Sequence, residues 1–201
     1  MFVPNISALY ELEDVRGYES MTLRAFVATY PLWATTQGPW FNRIDDLTKP
    51  FLSFLNVGYA IVPPGYPPPP GWTLLSRDKG ADLLQNTRSL PRAFAPAAVK
   101  LELDEASRLK QLGAISDFGQ RGVVEPGSGV APGAWRPNGK ARVVIASYEA
   151  QSMVLDIHAQ GETIVGTSIP AWPGWKAKLD GVAVAPLSYN NAFLGFRVPQ
   201  G

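Results

Sequence analysis

From Lys140 onward, short runs of alternating apolar and polar side chains are separated by turn residues. The runs are "ARVVIASYEA", "SMVLDIHAQ", "ETIVGTSIP", "WKAKLDG", "VAVAPLSY" and "AFLGFRVP". Alternation at period two is the mark of a strand with one buried face, and six such runs at roughly ten-residue spacing predict an antiparallel β-sandwich. In the second run Met153, Leu155 and Ile157 share the inner face, leaving Asp156 and His158 outside. In the fourth, Trp175, Ala177 and Leu179 point into the core, while Lys176, Lys178 and Asp180 look out. Asp180-Gly181 supplies the positive φ angles of a two-residue hairpin turn, and Asn190-Asn191 tolerates the same left-handed conformation. The last run places Leu194, Phe196 and Val198 inside, with Phe193 and Arg197 outside. Pro173-Gly174 interrupts the alternation, so Trp172 is either a core residue or an exposed aromatic platform at a sheet rim.

The first part of the chain follows a different rhythm. "SMTLRAFVATYPLW" has helical spacing through Met21, Phe26 and Tyr30, and "DDLTKPFLSFLNVGYAIVPP" reads as a helix followed by a buried strand. In that helix Thr48 or Asp46 is the expected cap and Pro50 sits in the first turn, where its missing N–H costs nothing. Phe51, Leu52, Phe54 and Leu55 face inward and Asn56 ends the helix. "VPPGYPPPPGW" is too rich in proline for helix or central strand and is expected to run as a stiff surface loop. Strands "WTLLSRD" and "ADLLQN" follow, then "RAFAPAAVKLEL" and a short helix over 104–113, capped by Asp104 with Ala106, Leu109 and Leu112 as its apolar side. The expected fold class is α+β and mainly β. A mixed α/β lobe spans 1–89, and an antiparallel, jelly-roll-like β-sandwich spans 90–201 with the helix at 104–113 inserted.

Composition narrows the chemistry. Eighteen basic residues against seventeen acidic leave a formal charge of +1, without the basic excess of a nucleic-acid binder. There is no cysteine, which excludes thiolate catalysis and disulfides. With one histidine, His158, neither a zinc site of three or four ligands nor a serine triad has its parts, and no metal or cofactor site is expected. No glycine-rich phosphate loop precedes a helix. Two carboxylate clusters remain: Asp45 and Asp46, explained by an adjacent helix N-terminus, and Glu11, Glu13 and Asp14, followed by Arg16, Gly17 and Tyr18. The second is a structural turn or a contact region.

Five stretches taken in order resemble one family. "PAWPGWKAKLDG" at 170–181 is followed by "NNAFLGFRVPQG" at 190–201, and "DVRGYES", "FLNVGYAIVP" and "NTRSLPRAF" precede them in order; the "PGWKAKLDG" block is the specific part, and the others carry weight only as an ordered set. Together they resemble the C-terminal soluble region of the YfhO-type family of multi-pass bacterial membrane proteins. Trp172 stands where that pattern has tyrosine, and Leu194 where it has arginine. The resemblance implies a parent similar to a fold-C membrane glycosyltransferase, which uses polyprenyl-phosphate sugars at the outer face of the bacterial cytoplasmic membrane. It also implies that this segment is an excised, soluble extracytoplasmic region whose partner is the membrane portion of the same polypeptide, with a glycan or envelope polymer as the possible ligand. The resemblance implies a catalytic carboxylate in a loop between early membrane helices, a part this sequence does not include, so no catalytic residue is assigned here. Candidate contacts are Trp172, Phe193, Tyr189, Trp135, Asp14, Arg16 and Tyr18. A free-standing carbohydrate-binding module and a purely structural or interaction domain are the alternatives. Because the family pattern continues with a further strand, residues 192–198 are expected to form an exposed sheet edge.

Overall fold

The computed structural model describes residues 12–16, 22–36 and 42–201. The chain is mainly β and divides into two compact units, Met1–Ser89 and Leu90–Gly201.

In the first unit, helix α1 (Arg24–Val27) and a 3₁₀ turn (Tyr30–Leu32) present Trp33 to the interior. The Trp33 indole N–H donates to Thr29 Oγ1 at 3.2 Å, and its ring meets Tyr30 edge-on at 5.4 Å. Two short strands, β1 (Thr35–Thr36) and β2 (Asn42–Arg43), pair antiparallel. Helix α2 (Pro50–Phe54) begins at Pro50 and buries Phe51, Leu52 and Phe54. Asn56, at φ 61°, turns the chain out of it. The helix lacks the expected side-chain cap. Its N-cap is Lys49, and Asp46 instead accepts from the backbone and hydroxyl of Thr48, closing its own turn one step earlier.

A three-stranded antiparallel sheet follows, ordered β3 (Tyr59–Val62), β5 (Asp82–Asn86), β4 (Trp72–Arg77). The β3 strand is not the buried strand its apolar sequence suggests: Tyr59 and Ile61 are exposed. It lies at the edge of the sheet, and only the side chains of the opposite parity are partly covered. Buried Asp82 ties the proline-rich loop down, accepting from Gly65 N at 2.9 Å and facing Arg77 at 3.4 Å. Asn86 does the same for the end of α2, donating to Val57 O and Ser53 Oγ.

The second unit is built on a curled seven-stranded sheet. Its strands are β6 (Ala93–Phe94), β7 (Ala98–Leu101), β8 (Arg121–Val124), β9 (Arg136–Pro137), β12 (Thr163–Pro170), β15 (Leu187–Tyr189) and β16 (Phe193–Val198). They lie in the order β6-β12-β16-β15-β8-β7-β9. The remaining strands form two hairpins: β10 (Ala141–Glu149) with β11 (Ser152–Ala159), and β13 (Ala177–Leu179) with β14 (Val182–Val184). Ala141, Val143, Ile157 and Leu179 of these hairpins pack on Ala159, Val165 and Val198, so the hairpins cover one face of β12 and β16. The Asp180-Gly181 and Asn190-Asn191 turns both take positive φ at each residue, as their composition requires.

Three expectations are corrected here. The sheet is not wholly antiparallel, because β7 and β8 run parallel. Parallel neighbours cannot be joined by a tight turn. Helix α3 (Glu105–Gly113) is therefore the crossover between them and not an insertion. Its buried side chains are Arg108 and Leu112, while Ala106 is exposed. Second, residues 192–198 form no sheet edge: β16 is paired to β12 on one side and β15 on the other. Third, Phe193 does not face solvent, and both it and Tyr189 are fully buried. Alternation separates core from solvent only where one face of a strand is open, and the central strands here are buried on both faces, β12 almost without interruption.

Tyr189 fills one face of the sheet, and the sequence makes room for it with glycine. A Cβ on Gly166 would lie 2.2 Å from its ring, one on Gly122 2.3 Å from its hydroxyl, and one on Gly195 2.9 Å from its Cβ. Phe94 closes the cluster edge-on at 6.3 Å. Asn138, just after β9, ties that end of the sheet to the β6–β7 connection and to β12: its amide donates to Pro96 O and Ile164 O, and its carbonyl accepts from Ile164 N.

Asp104 caps α3 as the sequence indicates, accepting from Ser107 N at 2.8 Å. The backbone N–H of Ser107, with help from its hydroxyl, holds the Asp104 carboxyl below the ordinary aspartate range. A carboxyl depressed in the folded state stabilises above its unfolded pKa, and the contribution is lost as pH falls through the folded one. Acidification below about pH 4 is therefore expected to destabilise the native chain more steeply than the Asp104→Asn variant, which keeps a neutral acceptor. Urea denaturation across that range checks it; parallel curves would remove the cap's role.

Candidate functional site

The segment 170–181 leaves the sheet at Pro170, where Ala171 N donates to Ala192 O at 2.8 Å and Trp172 N to Pro170 O at 2.9 Å. Pro173 and Gly174, the latter at φ 104°, then reverse the chain into the β13–β14 hairpin. The parity of this hairpin is as the sequence indicates: Trp175, Ala177 and Leu179 are partly covered, and Lys176, Lys178 and Asp180 are exposed. Trp175 itself is only half-buried, not a core residue. It precedes β13, and the hairpin stands outside the seven-stranded sheet, so its indole has one protein-facing side. Trp172 is 40% exposed, so it is not a core residue.

The other aromatic candidates do not join it. Tyr189 and Phe193 are cross-strand partners in the interior, and burial pushes the Tyr189 phenol far above its usual pKa, so it stays neutral. Trp135 is half-buried, with the Arg121 guanidinium over its ring at 5.1 Å.

Asp14 and Arg16 form an ion pair in the first unit. Burial raises the Asp14 carboxyl, but hydrogen bonds from the Arg16 side chain and backbone outweigh it and hold the group below the ordinary range. The pair is thus a closed Asx-type turn with its charges matched. Tyr18 lies outside the described residues, as do Glu11 and Gly17. Asp45 and Asp46 are not at a helix N-terminus: Arg43 engages Asp45, and Thr48 and Lys49 engage Asp46.

A polar network that the sequence reading missed joins α3 to the β15–β16 turn. Arg108 donates to Leu103 O at 2.8 Å, Glu102 O at 3.3 Å and Asn191 Oδ1 at 3.2 Å, and faces Glu125 at 3.5 Å. Glu125 accepts in turn from Ser188 Oγ at 2.6 Å. Asn190 accepts from Val123 N through its side chain and donates to Val123 O through its backbone. The available signal was Arg108 four residues before Leu112, a cation on what must be the buried stripe of a short helix.

His158 and Asp156 share an exposed strand face, as expected. Lys140, Arg142, His158 and Gln160 border a shallow concavity of about 360 Å³ floored by Ala141 and Ala159. Among the described residues no cluster of histidine, aspartate and glutamate could hold a metal ion, and no helix is long and apolar enough to cross a membrane. No family model matches the chain, and neither a curated protein nor a solved structure matches it.

Proposed function

We propose that this chain is a non-catalytic extracytoplasmic domain of a membrane-embedded, glycosyltransferase-like protein, positioned at the outer face of the cytoplasmic membrane to hold acceptor or glycan for cell-envelope modification. The observation that carries this reading is how the two most distinctive segments are used. Asn190 and Asn191 spend their side-chain carbonyls inside the fold on Val123 N and Arg108. Asp180-Gly181 is spent as a hairpin turn. Residues so committed support a scaffold and do not move protons or attack a substrate. What the same segment leaves at the surface is Trp172, a flat apolar side chain beside a proline-glycine reversal, of the kind that stacks on a sugar ring.

The natural reading frame containing this segment is expected to encode membrane-spanning helices. Deleting residues 12–201 from that protein should abolish its envelope-glycan product while the remainder still inserts. A frame without such helices would end the proposal. The exposure of Trp172 also favours a second reading, a free-standing carbohydrate-binding module. In either case Trp172→Ala is expected to weaken binding to the recognised glycan about tenfold, near 1.4 kcal/mol, with little change in folding. A glycan array on the isolated chain separates the readings: strong binding without the membrane portion supports the module.

A further inference from the structure

We infer that the proline-rich connection 63–71 is a preformed polyproline II ligand, and that its partner is a protein groove lined by aromatic rings. The inference uses no part of the Trp172 surface and stands apart from the glycan reading.

Local sterics fix the conformation. Tyr66, Pro67, Pro68 and Pro69 each precede a proline. A proline ring drives the residue before it out of the helical region into extended backbone, and proline holds its own φ near −65°. The run 66–69 is therefore polyproline II. Two matching turns bound it. Tyr66 N donates to Pro63 O at 3.1 Å with Gly65 at φ 78°, and Trp72 N donates to Pro69 O at 3.0 Å with Gly71 at φ 90°. Proline then glycine at the two central positions makes each a type II turn. The first central residue of such a turn has nearly polyproline II angles, so the helix continues through Pro70.

The fold clamps both ends of this strap. Gly65 N–H donates to the buried Asp82 carboxylate at 2.9 Å. Gly71 O accepts from Thr87 N at 2.9 Å and from Thr87 Oγ1 at 3.0 Å. Trp72 is buried, and its indole N–H donates to Leu47 O at 2.8 Å. The strap is thus ordered before any partner arrives, which removes much of the entropy cost of binding a flexible segment.

Exposure shows which edges are available. Three residues per turn give a polyproline II helix three edges. Tyr66 and Pro69 share one edge and are half-buried, whereas Pro67 and Pro70 on the second and Pro68 on the third are exposed. One edge rests on the protein and two face outward. From Pro63 to Gly71 no side chain is charged, and only Tyr66 carries a polar atom. A spacer between β3 and β4, which flank β5, would serve as well with polar side chains. Apolar rings turned to water suit contact with another surface. Among the described residues, no backbone N–H reaches the carbonyls of Pro67, Pro68 or Pro70. Flat pyrrolidine rings over aromatic faces, with those carbonyls accepting from indole N–H or phenol O–H groups between them, are what such a groove reads.

Titration of the isotopically labelled 201-residue chain with three proline-reading probes tests this by amide shifts: an SH3 domain, a WW domain and an EVH1 domain. At least one is expected to bind with a Kd below about 1 mM, shifting the amides of Gly65, Tyr66, Gly71 and Trp72. The double variant Pro67→Ala, Pro70→Ala should weaken that complex about tenfold, with urea unfolding reporting that it remains folded. Pro91→Ala, an exposed proline outside the strap, should leave binding unchanged. If the double variant fails to fold, the shift map on the native chain decides alone. Absence of binding to all three probes up to about 1 mM overturns the inference. So do shifts that spare the strap, or a folded double variant that binds like the native chain.

Discussion

Replacing Gly166 with alanine is expected to cost the second unit about 3 kcal/mol or more, the upper part of the range for overpacking a dense core. The new methyl would lie 2.2 Å from Tyr189 Cε1 and 2.4 Å from Cζ. A flexible side chain could swing aside, but this ring has no free direction: Gly122 and Gly195 crowd it from neighbouring strands and Phe94 stands at 6.3 Å. Gly166 also sits in the ladder, opposite Gly195 on β16 and Phe94 on β6, so backbone retreat would strain both pairings. Chemical denaturation of Gly166→Ala, Tyr189→Leu and the double variant isolates the clash. The double variant should be more stable than the sum of the single losses implies, because the smaller side chain vacates the space the methyl needs. If Gly166→Ala unfolds within about 1 kcal/mol of the native chain, Tyr189 is not packed as described.

Arg108→Met is expected to destabilise the same unit by about 3 kcal/mol. The guanidinium serves two carbonyls of the β7–α3 connection, the Asn191 side chain and Glu125. Removing it strands acceptors that the fold keeps from water, and an unmet buried acceptor costs about 1–3 kcal/mol. Glu125 adds less than a sealed carboxylate would, since a quarter of its side chain remains exposed. Arg108→Lys should recover only part of the loss, because one ammonium cannot reproduce a fork that reaches α3's approach and the Asn191 turn together. Equilibrium urea unfolding gives all three values. A Met variant as stable as the parent would show that the network is incidental to the fold.

These two residues also mark how far the sequence could be read. Hairpin turns were legible because positive φ has a short list of willing residues, and Asp180-Gly181 and Asn190-Asn191 are on it. The Asp104 cap was legible because a side-chain acceptor before a helix satisfies a local orphan N–H. The parity of 175–179 was legible because the hairpin has one open face. Phe193 was misread by the same rule, since its strand is covered on both faces, and Tyr189, named as a surface contact, is buried as well. The parallel β7–β8 pair and the partners of Arg108 lie between residues distant along the chain, with no local signature.

By itself, then, the sequence determined most of the strands after Lys140, the hairpin turns, the cap of α3 and the predominance of β structure, all of which depend on neighbours within a few residues. The tertiary structure alone decided the strand order, the role of α3 as a crossover, the glycine cradle of Tyr189 and which aromatic rings remain at the surface. The division follows from range. A dihedral preference or a one-faced alternation is a property of a short segment, whereas burial on a second face depends on which distant strand arrives to cover it.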